Sequence, residues 1–205
     1  MLSLLLDSSN TNLSVGVCKN GQIVYNHSFS CWQRQSELMI PEIEKALKEL
    51  NLELLDFDEV VCGKGPGSYT GVRISLTIAK IICEFSKAKL ILVSSLRIMG
   101  TKEEKFIALI NARSSRSYIG IYDKENVVLE DTIKTNDEVL QLIDKYKDYR
   151  VIGDCSYLSI ESDLPNEIEG LNSFKSIVSP CQDVLAVKPV YLKDNYGIPI
   201  VEHWK

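Results

Sequence analysis

Apolar and polar positions change their spacing several times along the chain, and each change predicts an element. Residues 2–6 form an apolar run ending at Asp7, and 13–18 alternate before Asn20-Gly21. That dipeptide suits a two-residue hairpin turn because both central positions sit at positive φ. Residues 22–29 are then the returning strand. Met39, Ile43, Ala46, Leu47 and Leu50 recur at helical spacing and predict an amphipathic helix over 36–50, with Pro41 tolerable only near its first turn. Val60-Val61-Cys62 is a buried strand. It leads through the glycine-rich stretch 63–71 into a long apolar helix ending near Phe85, and residues 90–93 make another short buried strand.

The second half repeats the first. A shift of 104 positions lays Asp7 on Asn111, Gly16 on Gly120 and the turn Asn20-Gly21 on Lys124-Glu125, without a gap. A three-strand meander thus appears twice, each time followed by a helix. In the second copy Thr135 and Glu138 have the spacing of a capping box ahead of Val139, Leu142, Ile143 and Tyr146. This order predicts two similar α/β lobes facing each other. From about Gly153 onward, Pro165, Pro180, Pro189 and Pro199 predict short elements and loops.

Composition narrows the function classes. The 205 residues are 45% hydrophobic and 25% charged, which is the balance of a globular protein large enough to bury its own core. A net charge of -5 argues against neutralising many phosphates unaided, so any RNA would be held mostly by a partner. Six singly spaced cysteines without a CxxC pair read as reduced thiols in a cytoplasmic protein. The start, Met1 to Asp7, lacks the basic residues and apolar length of a signal peptide, and no stretch approaches a membrane span.

Two motifs could carry chemistry. Gly65, Gly67, Ser68, Tyr69, Thr70, Gly71 and Arg73 lie between a strand and a helix. There, backbone amides and the helix dipole can hold an anion, with Arg73 in the first turn. Equally, the glycines could serve close packing, with Thr70 capping the helix. The stretch is neither a Walker A loop nor a dinucleotide fingerprint. Asp7-Ser8-Ser9 ends the first strand, where an acid can orient hydrated magnesium or simply form a turn; its counterpart Asn111 offers no second carboxylate. The two histidines, His27 and His203, stand in no metal-binding pair, and no GxSxG elbow is present. The helix over 70–85 carries two apolar faces. Ile74, Ile78, Ile81, Ile82 and Phe85 make one face and Val72, Leu76, Ala79 and Cys83 the other; the sheet covers one, and the other needs a second internal element or a partner protein, to which Val72, Leu76, Ala79 and Cys83, with Leu38 and Met39, are assigned.

The segments LLLDSSNTNLSVGV, RQSELMIPEIEKAL, GKGPGSYTGVRISLTIAK, LVSSL, ALINARSSRSYIGIYD and KPVYLKD resemble the TsaB (YeaZ) family. The match is specific over the first hundred residues and thinner after Phe106. The resemblance implies an α/β fold of the actin, sugar-kinase and Hsp70 type with two related βββαβα lobes. The N-terminal lobe would span 1–100 and bind the partner; the reduced C-terminal lobe would span 101–205, its last ~15 residues returning to the first lobe. It also implies a non-catalytic subunit in threonylcarbamoyladenosine formation on tRNA. Such a subunit pairs with the catalytic subunit TsaD, joined by the ATPase TsaE; it is a homodimer when alone and meets tRNA only within the complex. No tightly bound cofactor is expected, and ATP or ADP would bind at the Asp7 and Gly65 loops or only in the complex. Gln35 and Asp7-Ser8-Ser9 depart from the family's usual His and Asp-Thr-Ser. Rival readings are an ATP-dependent small-molecule kinase, with Asp7 on magnesium, and a metalloprotease, for which the ligands are missing.

Overall fold

A computed structural model describes residues 1–31 and 33–193. β1 (Leu2–Asp7), β2 (Asn12–Lys19) and β3 (Gln22–Ser30) form an antiparallel meander. The Asn20-Gly21 turn closes β2 on β3 with both residues at positive φ, as the dipeptide requires. α1 (Gln35–Leu50) follows, then β4 (Glu59–Gly63), α2 (Tyr69–Ser86) and β5 (Lys89–Val93). β4 lies parallel to β1, and β5 parallel to β4, so the first sheet runs β3-β2-β1-β4-β5. Pro41 falls in the second turn of α1 rather than the first, on an exposed position.

β6 (Lys105–Arg113), β7 (Arg116–Asp123) and β8 (Asn126–Thr135) repeat the meander. α3 (Asn136–Lys145) starts at the Thr135–Glu138 capping box, and β9 (Arg150–Ile152) returns parallel to β6, giving the order β8-β7-β6-β9. The Lys124-Glu125 turn matches Asn20-Gly21 as a two-residue connection. The register departs from the 104-residue shift by one position within the β6–β7 ladder: Leu5 faces Gly16, but Ala108 faces Gly120. A bulge between Asn111 and Arg113 absorbs the difference. The second sheet has no counterpart of β5 among the described residues.

The layers are α1 and α2, the first sheet, α4 (Glu167–Phe174), the second sheet, and α3. Leu4, Leu6, Val60 and Cys62 point toward Met39, Ile43, Leu76 and Ala79. Leu5, Val61 and Ile91 point the other way, onto Ile168, Leu171 and Phe174 of α4 and onto Phe106 and Tyr122 of the second sheet. Ile107, Leu109, Ile119 and Ile121 cover Val139 on α3. β1 and β4 are therefore buried on both faces, which explains their unbroken apolar sequence. α4 belongs to the second half by sequence but packs on β1, β2 and β3.

α2 buries the face expected to meet a partner. Val72, Leu76, Ala79 and Cys83, expected to meet a partner together with Met39, lie buried inside the chain's own core, and Leu38 is half-buried against it. Gly71, Ser75, Ala79 and Cys83 recur every fourth residue and are all buried, so α2 approaches the sheet along its smallest side chains. Of the stripe expected to meet the sheet, Ile82 is buried in that core and Ile74 and Ile78 are half-buried, but Ile81 is 53% exposed and Phe85 80%.

Candidate functional site

The carboxyl ends of β1, β4 and β6 converge on a cleft of about 1260 Å³ between the two sheets. Crevices beyond the carboxyl ends of parallel strands are where open α/β sheets bind ligands. Ser9, Asn10 and Asn12 come from the β1–β2 loop, Gly67, Ser68, Tyr69 and Thr70 from the start of α2, and Asn111, Ala112 and Arg113 from the end of β6. Tyr118, Asp154, Tyr191 and Lys193 complete much of the rest.

Asp7 does not reach this cleft. Its Oδ2 accepts from the Ser9 amide at 3.0 Å and the Ser9 hydroxyl at 2.9 Å, while Oδ1 is buried without a hydrogen-bond partner among the described residues. Oδ1 is aimed at Gly63, where a Cβ would lie 2.0 Å from it. Burial, with the Glu167 carboxylate adding to it, pushes the Asp7 carboxyl up to about 7. Glu167, at the first turn of α4, accepts from Asn10 at 2.7 Å and is itself fully buried. An acid walled in by Gly63 and withdrawn from the cleft, with the amide Asn111 as its counterpart in the second half, does not fit the role of a magnesium ligand beside a nucleotide. Among the described residues no group of three His, Cys, Asp or Glu side chains converges to hold a metal.

The glycine-rich loop is largely consumed by packing. The Ser68 amide donates to Ser9 O at 2.6 Å, the Gly65 amide to Ser95 Oγ at 2.9 Å, and the Ser8 hydroxyl to Gly71 O at 2.8 Å. A Cβ on Gly71 would sit 1.8 Å from Ser8 O, so this close approach admits only glycine. The cap of α2 is Ser68, whose Oγ accepts from the Gly71 amide at 3.2 Å; Thr70 lies inside the helix, not at its cap. Of the expected anion loop, Ser9, Gly67, Ser68, Tyr69 and Thr70 line the cleft. Asp7, Ser8 and Gly65 lie buried beneath it, and Arg73 stands at its mouth, its guanidinium 3.9 Å from the centre of the Tyr69 ring.

The return of the last residues toward the first lobe was expected, but no side chain of the C-terminal segment was singled out for the site. Tyr191 stacks on Tyr69 at a centroid distance of 4.9 Å and accepts from Arg73 Nε at 2.6 Å. Lys193 Nζ donates to Ala112 O at 2.5 Å on the opposite lobe. The segment KPVYLKD contained both residues, but nothing in its spacing said where it would land. Residues 194–205, including His203 and most of the tail expected to return to the first lobe, lie outside the described residues. Gln35 is buried, its Nε2 3.3 Å from Asn10 O, so it braces the β1–β2 loop.

A family model described as TsaD, tRNA N6-adenosine threonylcarbamoyltransferase, matches residues 31–161. The TsaB protein of Buchnera aphidicola subsp. Schizaphis graminum is 31% identical over 151 residues, which cover 71% of this chain and 70% of that protein. The chain belongs to the TsaB family. The Bacillus subtilis TsaB is 28% identical to this TsaB-family chain over 144 residues, covering 68% of the chain and 63% of the relative. The chain thus spans less than two thirds of that relative's length. A solved structure of YeaZ from Pseudomonas aeruginosa superposes with a TM-score of 0.78 at 21% identity, covering 93% of this chain and 99% of that one. A second Pseudomonas aeruginosa structure, of a protein with similarity to peptidase YEAZ, gives a TM-score of 0.82 at 22% identity, covering 94% of this chain and 99% of that one. The two-sheet α/β architecture expected for this TsaB-family chain is the fold it has.

Proposed function

We propose that the chain is a non-catalytic partner subunit in threonylcarbamoyladenosine formation on tRNA, acting in the cytoplasm beside the catalytic subunit TsaD and the ATPase TsaE. Membership of the TsaB family is the observation that supports this reading. The site geometry agrees with it. Asp7, the acid placed where a phosphoryl-transfer enzyme of this architecture would use one, is buried against Gly63 and Ser9 rather than presented to the cleft. A partner-pairing role also needs an apolar surface, and α1 and α2 supply one. Ile40 is 53% exposed on α1, and Ile81 and Phe85 are exposed on α2, with Ile74 and Ile78 half-buried beside them. These side chains replace Val72, Leu76, Ala79 and Cys83 as the contact with TsaD, or with a second copy when the chain is alone.

The test is threonylcarbamoyl transfer to tRNA in a reconstitution with TsaD, TsaE and the adenylate-forming enzyme. Transfer should require this chain, and Phe85→Glu should abolish both co-purification with TsaD and transfer while leaving the melting temperature unchanged, because a charge at that exposed position costs nothing until a partner desolvates it. Full transfer without the chain would refute the role. Intact pairing of the Phe85→Glu chain would move the interface elsewhere.

A further inference from the structure

We propose that the cleft between the sheets binds a short single-stranded stretch of RNA, with phosphates held by Lys193 in its lining and by Arg73 and Arg116 beside it, and bases stacked on Tyr69 and Tyr191. This deepens the function proposed above, on which it rests for the choice of RNA as the polyanion.

The cations carry the first part of the argument. The chain is acidic overall, yet the β6–β7 tip reads Arg113-Ser114-Ser115-Arg116 and Lys193 packs against it. Lys193 makes its hydrogen bonds to the carbonyls of Ala112 and Arg113, not to a carboxylate. Arg116 pairs with Arg113 across the β6–β7 ladder, beside the carbonyls that hold Lys193, and burial, then Arg116, push the Lys193 ammonium below the ordinary lysine value. Arg113, Ser114 and Ser115 all have positive φ, at 61°, 53° and 54°. Ser114 and Ser115 are the central residues of the β6–β7 hairpin turn, where positive φ is the ordinary geometry.

Aromatic rings carry the second part. Tyr69 and Tyr191 are stacked at an interplanar angle of 27°, with Arg73 over Tyr69 and hydrogen-bonded to Tyr191. Tyr69 is 46% exposed. Cations that follow a backbone and rings that accept any base are the recurring parts of single-strand binding sites. The rest of the cleft suits the same ligand. Its polar lining consists mostly of neutral amides and hydroxyls such as Asn10, Asn12 and Asn111, and Asp154 is the one carboxylate among the described lining residues. At about 1260 Å³ it exceeds the usual small-molecule pocket of roughly 300–1,000 Å³, leaving room for more than one nucleotide. The small number of cations limits the contact to a few phosphates, consistent with a chain whose net charge is -5.

The test is fluorescence anisotropy of the full chain with a fluorescein-labelled, mixed-sequence 12-nucleotide RNA, read across a salt series. Binding should weaken at least tenfold in Arg116→Glu/Lys193→Glu. The neutral pair Arg116→Gln/Lys193→Gln should flatten the slope of log affinity against log salt by about 1.4, since each single-strand phosphate contact contributes about 0.7. Tyr191→Ala should weaken binding about fivefold or more while Tyr191→Phe keeps it, because the ring rather than the hydroxyl carries the base. Unlabelled RNA should compete, whereas ATP and poly-glutamate at equal charge concentration should not. Absent binding, equal binding by both charge variants, or equal competition by ATP or poly-glutamate would each overturn the proposal. Transfer activity reads the subunit role separately, so a chain that supports transfer but binds no RNA refutes the cleft proposal alone.

Discussion

Asp7 is a carboxyl group whose position was legible in the sequence and whose environment was not. An acid at the end of an apolar strand can be a ligand, a turn or a cap, and only the packing around it distinguishes these. Here Gly63 removes the side chain that would otherwise occupy the space of Oδ1, and Ser9 satisfies Oδ2. The resulting rise of the carboxyl to about 7 has a consequence for stability. The folded chain holds a proton that the unfolded chain releases near 3.8, so the stabilising effect is complete below that pH and is lost as pH rises through 7. Asp7→Asn should therefore be more stable than the parent at pH 8, by about 2–4 kcal/mol given ~1.4 kcal/mol per pH unit. At pH 4 the two should be alike. Urea unfolding at both pH values checks this, and a difference that does not change with pH would mean that Asp7 ionises in the fold as freely as outside it.

At the scale of elements, periodicity located α1, α2 and α3 to within a residue or two but assigned the faces of α2 in reverse. Two apolar stripes on one helix are equivalent in a pattern; what separates them is size. Gly71, Ser75, Ala79 and Cys83 let the backbone of α2 approach the sheet; of the other stripe Ile82 joins that core, whereas Ile81 and Phe85 stay outside. α4 was illegible for a different reason. Its eight residues follow a loop-rich stretch, and its partners lie far away in sequence: Glu167 reaches Asn10, and beyond its end Lys175 Nζ lies 2.6 Å from Ser3 Oγ and 3.0 Å from Glu59 Oε1. Ser3 also donates to Glu59 at 2.6 Å, so Lys175, Ser3 and Glu59 form a closed buried set. Lys175→Met would strand the Glu59 carboxylate without its counter-charge and should destabilise the chain by about 3–5 kcal/mol. Lys175→Met/Glu59→Gln should recover much of that loss in the same denaturation experiment. No recovery would show that the lysine acts through packing alone.

For the whole molecule, the central question is what covers the inner face of the first sheet. Leu5, Cys18, Val61, Ile91 and Val93 point away from α1 and α2 and are buried by α4 and the second sheet together with Leu96, Ile98 and Met99. The first hundred residues contain every strand of the first sheet and yet lack α4 and the second sheet. Expressed alone, residues 1–100 should bind a hydrophobic dye strongly and show weak near-ultraviolet dichroism, because an exposed apolar face of this extent drives association and loosens packing. A fragment with the sharp cooperative melt of the full chain would show instead that the first sheet and its two helices suffice as a folding unit.

The strand order within each meander, the hairpin turns, the capping box of α3 and the family were all fixed by local sequence. Each depends on contacts between residues close in the chain, or on words long enough to be specific, such as GPGSYTGVRISL. Even the internal repeat was visible, because strand and turn lengths are set locally; the one-residue slip at the bulge near Ala112 was not. Tertiary structure alone decided which face of α2 is inside, that Asp7 is withdrawn from the cleft, and that Tyr191 and Lys193 return from the far end of the chain to its mouth. These depend on which surfaces of separate elements meet in space. Burial, close approach and charge proximity arise at those meetings, and no periodicity along the chain encodes them.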